Sequence, residues 1–320
     1  MISPGRGVDV PSGRAAFPPP GGRRAGIAGA GAQRKRPVTG RRAVLDSTGM
    51  PVDRRLRIAS HEELGASHFL LSLNTGGGDS LPGWEPGQFS MITLGASAGV
   101  DPLLRRPFSI FNEPTPGGDT LQIFYKVLGR GTAILSRARP GDSIDCLAPL
   151  GNGFEPRRTG GTRLLLVAGG IGAASLHPLA LADRRRGGSP VVLYGCRTDV
   201  ECAGIRPTRD AGIEVHVATD DGSEGHRGFV SSLLDDFLAR NDPAGWTICA
   251  CGPTPMMKAT AEVASRHGVA CHLSLESPMA CGFGVCVGCV VGVRDHAGGP
   301  RRWARICVEG PVFDAARVCW

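Results

Sequence analysis

The cysteines near the C-terminus restrict the fold more than any other feature of the chain. In Leu275-Glu-Ser-Pro-Met-Ala-Cys281-Gly-Phe-Gly-Val-Cys286-Val-Gly-Cys289, followed by an isolated Cys307, four thiols stand at the spacing C-x4-C-x2-C…C. That is the ligand pattern of a plant-ferredoxin-type [2Fe–2S] cluster. A tight loop should wrap one side of such a cluster, and a later strand should supply the last thiolate. Gly282, Gly284 and Gly288 suit this loop, because cluster sulfides accept backbone N–H bonds at close range and a Cβ would obstruct the approach. A structural zinc site also takes four cysteines, but it usually pairs them as two C-x2-C hairpins, and only one such pair occurs here. A disulfide framework is disfavoured by the crowding of three cysteines into one loop and by the lack of a secretory signal.

At 320 residues the chain has room for two or three domains. No apolar run approaches the roughly 20 residues needed to span a bilayer. The formal charge of +7 would suit a nucleic-acid partner, but its location decides otherwise. Residues 1–49 hold nine basic residues against two acidic ones, which leaves the remainder near neutral and without a basic face. Neither nucleic acid nor a membrane is therefore expected as a partner. Residues 1–49 are rich in Pro, Gly and Arg and lack an apolar period, so a disordered tail is expected. A transit peptide, or a protein that begins at Met50, are the alternative readings. The seven other cysteines, Cys146, Cys196, Cys202, Cys249, Cys251, Cys271 and Cys319, are scattered, which beside an iron–sulfur pattern points to a reducing cytoplasm.

Residues 50–157 alternate short β runs with turn signals, as in Phe69-Leu-Leu-Ser-Leu and Leu121-Gln-Ile-Phe-Tyr-Lys-Val, which predicts a small antiparallel barrel. One helical segment opens at Gly131. Over 158–277 the rhythm becomes strand, glycine turn and helix. The runs Arg163-Leu-Leu-Leu-Val-Ala, Val191-Val-Leu-Tyr and Trp246-Thr-Ile-Cys-Ala are continuously apolar, as strands buried on both faces of a parallel sheet should be. With helices predicted at 173–186, 228–240 and 254–267, this is a doubly wound α/β domain. Residues 278–320 form the cluster subdomain.

Arg105-Arg106-Pro107-Phe108-Ser109 places a fixed cation and a hydroxyl on one strand, where the proline limits pairing to an edge or bulge. An arginine on a strand is usually just solvated, but Phe124-Tyr125-Lys126 and the helix opening at Gly131-Thr132 add further polar groups. Together these could hold a flavin: Arg106 and the Gly131-Thr132 turn on the diphosphate, Ser109 near the ring, and Tyr125 packed on the ring system or ribityl chain. In the α/β domain, Gly169-Gly170-Ile-Gly172 joins strand to helix in a way that permits close approach of a dinucleotide, although a simple packing turn is the competing reading. Cys251-Gly252-Pro253, followed by Met256, makes a second turn at the same carboxyl edge, where Cys251 could face a nicotinamide.

In this order, the barrel with R-P-F-S, Y-K and G-T, then G-G-I-G, T-D-D-G-S, C-G-P-x-P-M-M and the cysteine pattern resemble the ferredoxin–NADP reductase superfamily. Within it, the chain resembles the electron-transfer subunits of NAD-dependent (type B) dihydroorotate dehydrogenases from about Arg55 onward. The resemblance implies FAD contacts at Arg106, Pro107, Phe108, Ser109, Phe124, Tyr125, Lys126, Gly131 and Thr132. It implies NAD contacts at Gly169, Gly170, Gly172, Cys251, Gly252, Pro253 and Met256, and a cluster on Cys281, Cys286, Cys289 and Cys307. It also implies an FMN-containing catalytic partner, in a heterotetramer of two of each, and a place in pyrimidine synthesis, with electrons passing from that partner through cluster and FAD to NAD⁺. No general acid or base is required. Ala168 stands where a third glycine is common, no proline follows in Ala173-Ala-Ser-Leu, and Thr198–Asp210 matches poorly. These departures leave NAD or NADP open. The rivals are a reductase of the same superfamily serving a hydrogenase, ferredoxin or monooxygenase, and a cofactor-free zinc-bound scaffold.

Overall fold

Residues 50–76, 81–93, 102–113, 119–154, 162–296 and 298–320 are described by the computed structural model, so the expectations for residues 1–49 lie outside the described residues. The first sheet has six antiparallel strands: β1 (Val52–Gly65), β2 (His68–Asn74), β3 (Phe89–Ile92), β4 (Arg106–Ser109), β5 (Thr120–Lys126) and, after helix α1 (Arg130–Leu135), β6 (Ser143–Leu150). Their order is β4-β3-β6-β1-β2-β5. The chain just past β4 meets β5, with Phe111 N donating to Gln122 O at 2.8 Å, so the sheet nearly closes into the expected barrel. Alternation decides its interior: Leu56, Ile58, Leu71, Leu73, Leu121, Ile123 and Ile144 all point inward. Pro107 lies opposite Met91 on the edge strand, where a missing N–H costs no ladder bond.

The second sheet is built from β7 (Arg163–Gly169), β8 (Val191–Cys196), β9 (Glu214–Thr219), β10 (His226–Arg227), β11 (Trp246–Cys251) and β12 (Cys271–Ser274), all parallel. Helices α2 (Ala173–Arg185), α3 (Arg206–Asp210), α4 (Val230–Arg240) and α5 (Thr254–Arg266) connect them. Successive residues of β7 face opposite layers. Leu164 and Leu166 meet Leu176 and Leu179 of α2, while Leu165 and Val167 meet Leu234 of α4 and Met257 of α5. That two-sided burial is why these strands read as unbroken apolar runs. The sheet order β10-β9-β8-β7-β11-β12 reverses direction between β7 and β11, and this opens a crevice at their carboxyl ends.

The C-terminal segment forms β13 (Val290–Arg294), β14 (Arg301–Arg305), α6 (Ile306–Glu309), β15 (Val312–Asp314) and β16 (Val318–Cys319). Strand β15 adds an antiparallel edge to the second sheet through the pairing His272↔Asp314, and β16 returns to β13. The described residues from Met50 to Trp320 hold together as one unit by their contacts. Lys126 reaches Glu201 at 2.9 Å and Arg185 reaches Glu113 at 2.8 Å across barrel and α/β layers, and Phe111 stacks on His177 with centroids 4.3 Å apart. Among the described residues no helix is long and apolar enough to cross a membrane.

Candidate functional site

Two clefts meet at the carboxyl edge of the parallel sheet. The first, of about 550 Å³, has Pro107, Phe108 and Ser109 of β4 and Phe124, Tyr125 and Lys126 of β5 as one wall, with Thr132 beside them. The opposite wall is Cys251, Pro253 and the run from Ser274 to Met279, which follows β12 directly. Most of the residues expected to contact a flavin therefore line one cavity. Arg106 and Gly131 are not among its lining residues. The Arg106 guanidinium donates to Leu104 O at 2.7 Å and so braces its own turn. Thr132 Oγ1 accepts from the N–H groups of Leu128 and Gly129, at 3.0 and 3.2 Å, which shapes the turn entering α1. Tyr125 is buried in the barrel with its hydroxyl 3.0 Å from Nε2 of His61, while Nδ1 of His61 lies 2.9 Å from Ala138 O. Burial pushes the Tyr125 phenol well above its usual range.

Cys251 Sγ lies 3.8 Å from Oε1 of Glu276, a residue that sequence reasoning missed although its place just beyond β12 is where ligand-facing groups of such sheets fall. Burial raises the carboxyl of Glu276 and the thiol of Cys251.

The second cleft, of about 480 Å³, is lined by Gly169, Gly170, Pro253 and Met256 as expected, and also by Gly195, Arg197, Glu201, Asp220 and Phe229. Gly172 and Gly252 act beneath its floor: a Cβ on Gly172 would stand 2.3 Å from Cys251 O, and one on Gly252 3.0 Å from Gly169 Cα. The two glycine turns thus interlock, and Cys251 opens into the first cleft instead of the second. Pro253 lines both. The carboxyl of Glu201 is held down to about 2, chiefly by its hydrogen bond from Arg197, against a smaller penalty of burial and with further help from Lys126.

The cysteine loop begins two residues after Met279, on the wall of the first cleft. Gly282 (φ +81°) and Gly284 (φ +87°) adopt the left-handed conformation, and a Cβ would meet Met91 Cγ at 2.4 Å and Val308 Cγ2 at 2.6 Å respectively. Val287 takes φ +54°, which a β-branched side chain adopts only under constraint. Cys307 lies on the single turn of α6 and not on a strand as expected. Glu309 closes that turn by accepting from the backbone N–H of Arg305 at 2.7 Å. Among the described residues no three His, Cys, Asp or Glu side chains gather as one metal ion would need. The thiols stand instead as two contacting pairs, Cys281 with Cys286 and Cys289 with Cys307. Burial works against the Cys281 thiolate, but N–H groups of Cys286, Phe283 and Val285 aimed at its sulfur bring it down to about 6. Burial, together with Cys289, pushes Cys307 up to about 12. Two cysteine pairs in a glycine cradle, with backbone N–H groups aimed at Cys281, fit a two-iron cluster, which takes two cysteines at each iron.

Comparison with known proteins agrees with this geometry. Residues 276–319 match the family model described as the iron–sulfur cluster binding domain of dihydroorotate dehydrogenase B. The chain is 40% identical over 235 residues to the dihydroorotate dehydrogenase B (NAD(+)) electron transfer subunit of Bacillus caldolyticus, covering 73% of this chain and 86% of that one. This chain belongs to the dihydroorotate dehydrogenase B electron transfer subunit family. It is therefore an oxidoreductase subunit. The corresponding subunit of Lysinibacillus sphaericus is 34% identical over 267 residues, 82% of this chain and 97% of its own. Among solved structures, an NADH-dependent reduced ferredoxin–NADP oxidoreductase superposes with TM-score 0.68 at 29% identity, covering 86% and 92% of the two chains. A ferredoxin NADP⁺ reductase from Neisseria gonorrhoeae, solved with FAD and NADP, shares the fold at TM-score 0.56 and 19% identity, over 68% and 92% of the chains.

Proposed function

We propose that this chain carries electrons between an FMN-containing dihydroorotate dehydrogenase catalytic subunit and NAD⁺, as a heterotetramer of two copies of each, in the cytoplasm. The observation that carries the reading is continuity. Met279 lines the first cleft two residues before Cys281, and Pro253 lines both clefts, so cysteine loop, first cleft and second cleft adjoin in that order. Cys289 and Cys307 also share one apolar cluster with Phe89, Met91 and Leu150 of the barrel. We assign FAD to the first cleft, the dinucleotide to the second and a [2Fe–2S] cluster to the four cysteines, within domain limits of 50–157, 158–277 and 278–320. A flavin supplies the exchange between single electrons and an electron pair, and the cluster supplies one-electron passage.

The chain's own residues position and insulate. Pro107, Phe108 and Tyr125 give the flavin an apolar wall, with Ser109 and Lys126 as its polar groups. Gly169 and Gly170 let a dinucleotide approach the backbone closely. Pro253, in the turn 251–253, lines both clefts, so a flavin in one and a dinucleotide in the other would adjoin there. The test is anaerobic co-purification with a candidate catalytic subunit, followed by a visible spectrum, an iron and flavin count, mass determination and an NAD⁺-linked dihydroorotate assay. A colourless zinc-bound protein, or a coloured one that does not couple dihydroorotate to NAD⁺, would sink it.

A further inference from the structure

Glu201 stands where the two clefts approach each other. From the barrel side Nζ of Lys126, a residue of the first cleft, donates to its Oε1 at 2.9 Å. From the other side Arg197, in the second cleft, places Nη2 2.5 Å from Oε1, with Nε 3.4 Å and the backbone N 3.3 Å from Oε2. The Arg197 side chain is 75% exposed, so a ligand in the cleft can reach it. It is also the only cation among the described residues lining that cleft, which include two carboxylates, Glu201 and Asp220.

Dinucleotide sites divide on this chemistry. A carboxylate receives ribose hydroxyls, whereas an additional 2′-phosphate is accommodated by an arginine. Arg197 alone would make this cleft receptive to that phosphate, but its guanidinium is already engaged. We propose that Glu201 is a specificity-determining residue: it occupies Arg197 and so leaves a third phosphate facing Asp220 with no free cation among the described residues of the cleft, so the cleft selects NAD(H) over NADP(H). The proposal rests on the second cleft being the dinucleotide site. Lys126 contributes by anchoring the carboxylate from the barrel, so that it cannot swing away and surrender Arg197. A 2′-phosphate would have to break the Arg197–Glu201 pair and then stand beside the freed carboxylate, which is discrimination by an introduced repulsion.

The experiment measures kcat and KM for NADH- and NADPH-driven ferricyanide reduction by the holoprotein, in wild type, Glu201→Gln and the double variant Glu201→Gln/Arg197→Gln. Glu201→Gln should raise kcat/KM for NADPH relative to NADH roughly tenfold, mostly through KM, which is the scale of one hydrogen bond to a charged group. The gain should vanish in the double variant, because the freed guanidinium creates it. Adenosine 2′,5′-bisphosphate should gain affinity over 5′-AMP in the same order. An unchanged NADPH/NADH ratio in Glu201→Gln protein that retains its FAD overturns the proposal, as does a gain that survives loss of Arg197. If wild-type protein binds neither adenosine compound and its flavin accepts electrons from neither dinucleotide, the assignment of the cleft fails and the proposal falls with it.

Discussion

Replacement of Gly172 by alanine puts the interlocked turns to a quantitative test. Gly172 has ordinary helical dihedrals (φ −57°, ψ −20°), so alanine meets no backbone strain there and any effect is steric. The added Cβ would lie 2.3 Å from Cys251 O, 2.5 Å from Cys251 C and 2.8 Å from Gly252 N. These are backbone atoms that no rotamer change can move, so the turn entering α2 and the end of β11 must part by about 1 Å to restore van der Waals contact. Overpacking of this kind costs about 1–3 kcal/mol, and a backbone neighbour puts it near about 3. That corresponds to a melting temperature lower by roughly 6–12 °C. The turn carrying Pro253 lines both clefts, so NADH-driven dye reduction should fall on the order of a hundredfold, the cost of misplacing reactants by about 1 Å. Gly170→Ala is the stability control in the same turn. Its φ of +51° costs an alanine about 1 kcal/mol, but nothing lies within 4 Å of the new Cβ. Urea unfolding of both variants, with flavin fluorescence and dye reduction on Gly172→Ala, decides the matter. If Gly172→Ala costs less than Gly170→Ala, or keeps wild-type turnover, the turns do not interlock as described.

Cys289→Ser should lose iron while keeping FAD and NADH-driven dye reduction, and coupled dihydroorotate turnover should collapse; full coupled turnover without iron would place the cluster off the electron path. Arg106→Ala should weaken FAD retention roughly tenfold by loosening the turn before β4, with iron content unchanged; equal loss of FAD and iron after desalting would point to general instability instead. His177, buried against Phe111, has its imidazole pushed down to about 4 because burial penalises the charged form. Unfolded chain takes up that proton first, so stability is lost as pH falls from 6.5 to about 4, by about 3 kcal/mol for this one group. His177→Phe should flatten that acid limb in urea titrations at pH 7 and 4.5, and an unaltered limb would assign the acid sensitivity elsewhere.

Several parts of this protein were legible from local spacing alone. Cys281, Cys286 and Cys289 fall within nine residues, so their spacing by itself dictates how the thiolates can be presented. Pro107 announced an edge strand because a residue without an N–H cannot sit inside a ladder, and the apolar runs from Arg163 and Trp246 announced strands covered on both faces. Each of these inferences needs only the geometry of a short stretch of backbone. Tertiary structure alone decided the rest. Lys126 meets Glu201 across 75 positions, and Tyr125 meets His61 across 64. Pro253 serves two clefts, Cys307 sits on a helical turn, and β15 crosses back to pair with β12. No periodicity encodes such meetings. They depend on the angle at which the barrel packs on the α/β layers, and that angle is set by the summed fit of side chains such as Phe111, Phe124, Ala174 and His177 distributed over the whole chain.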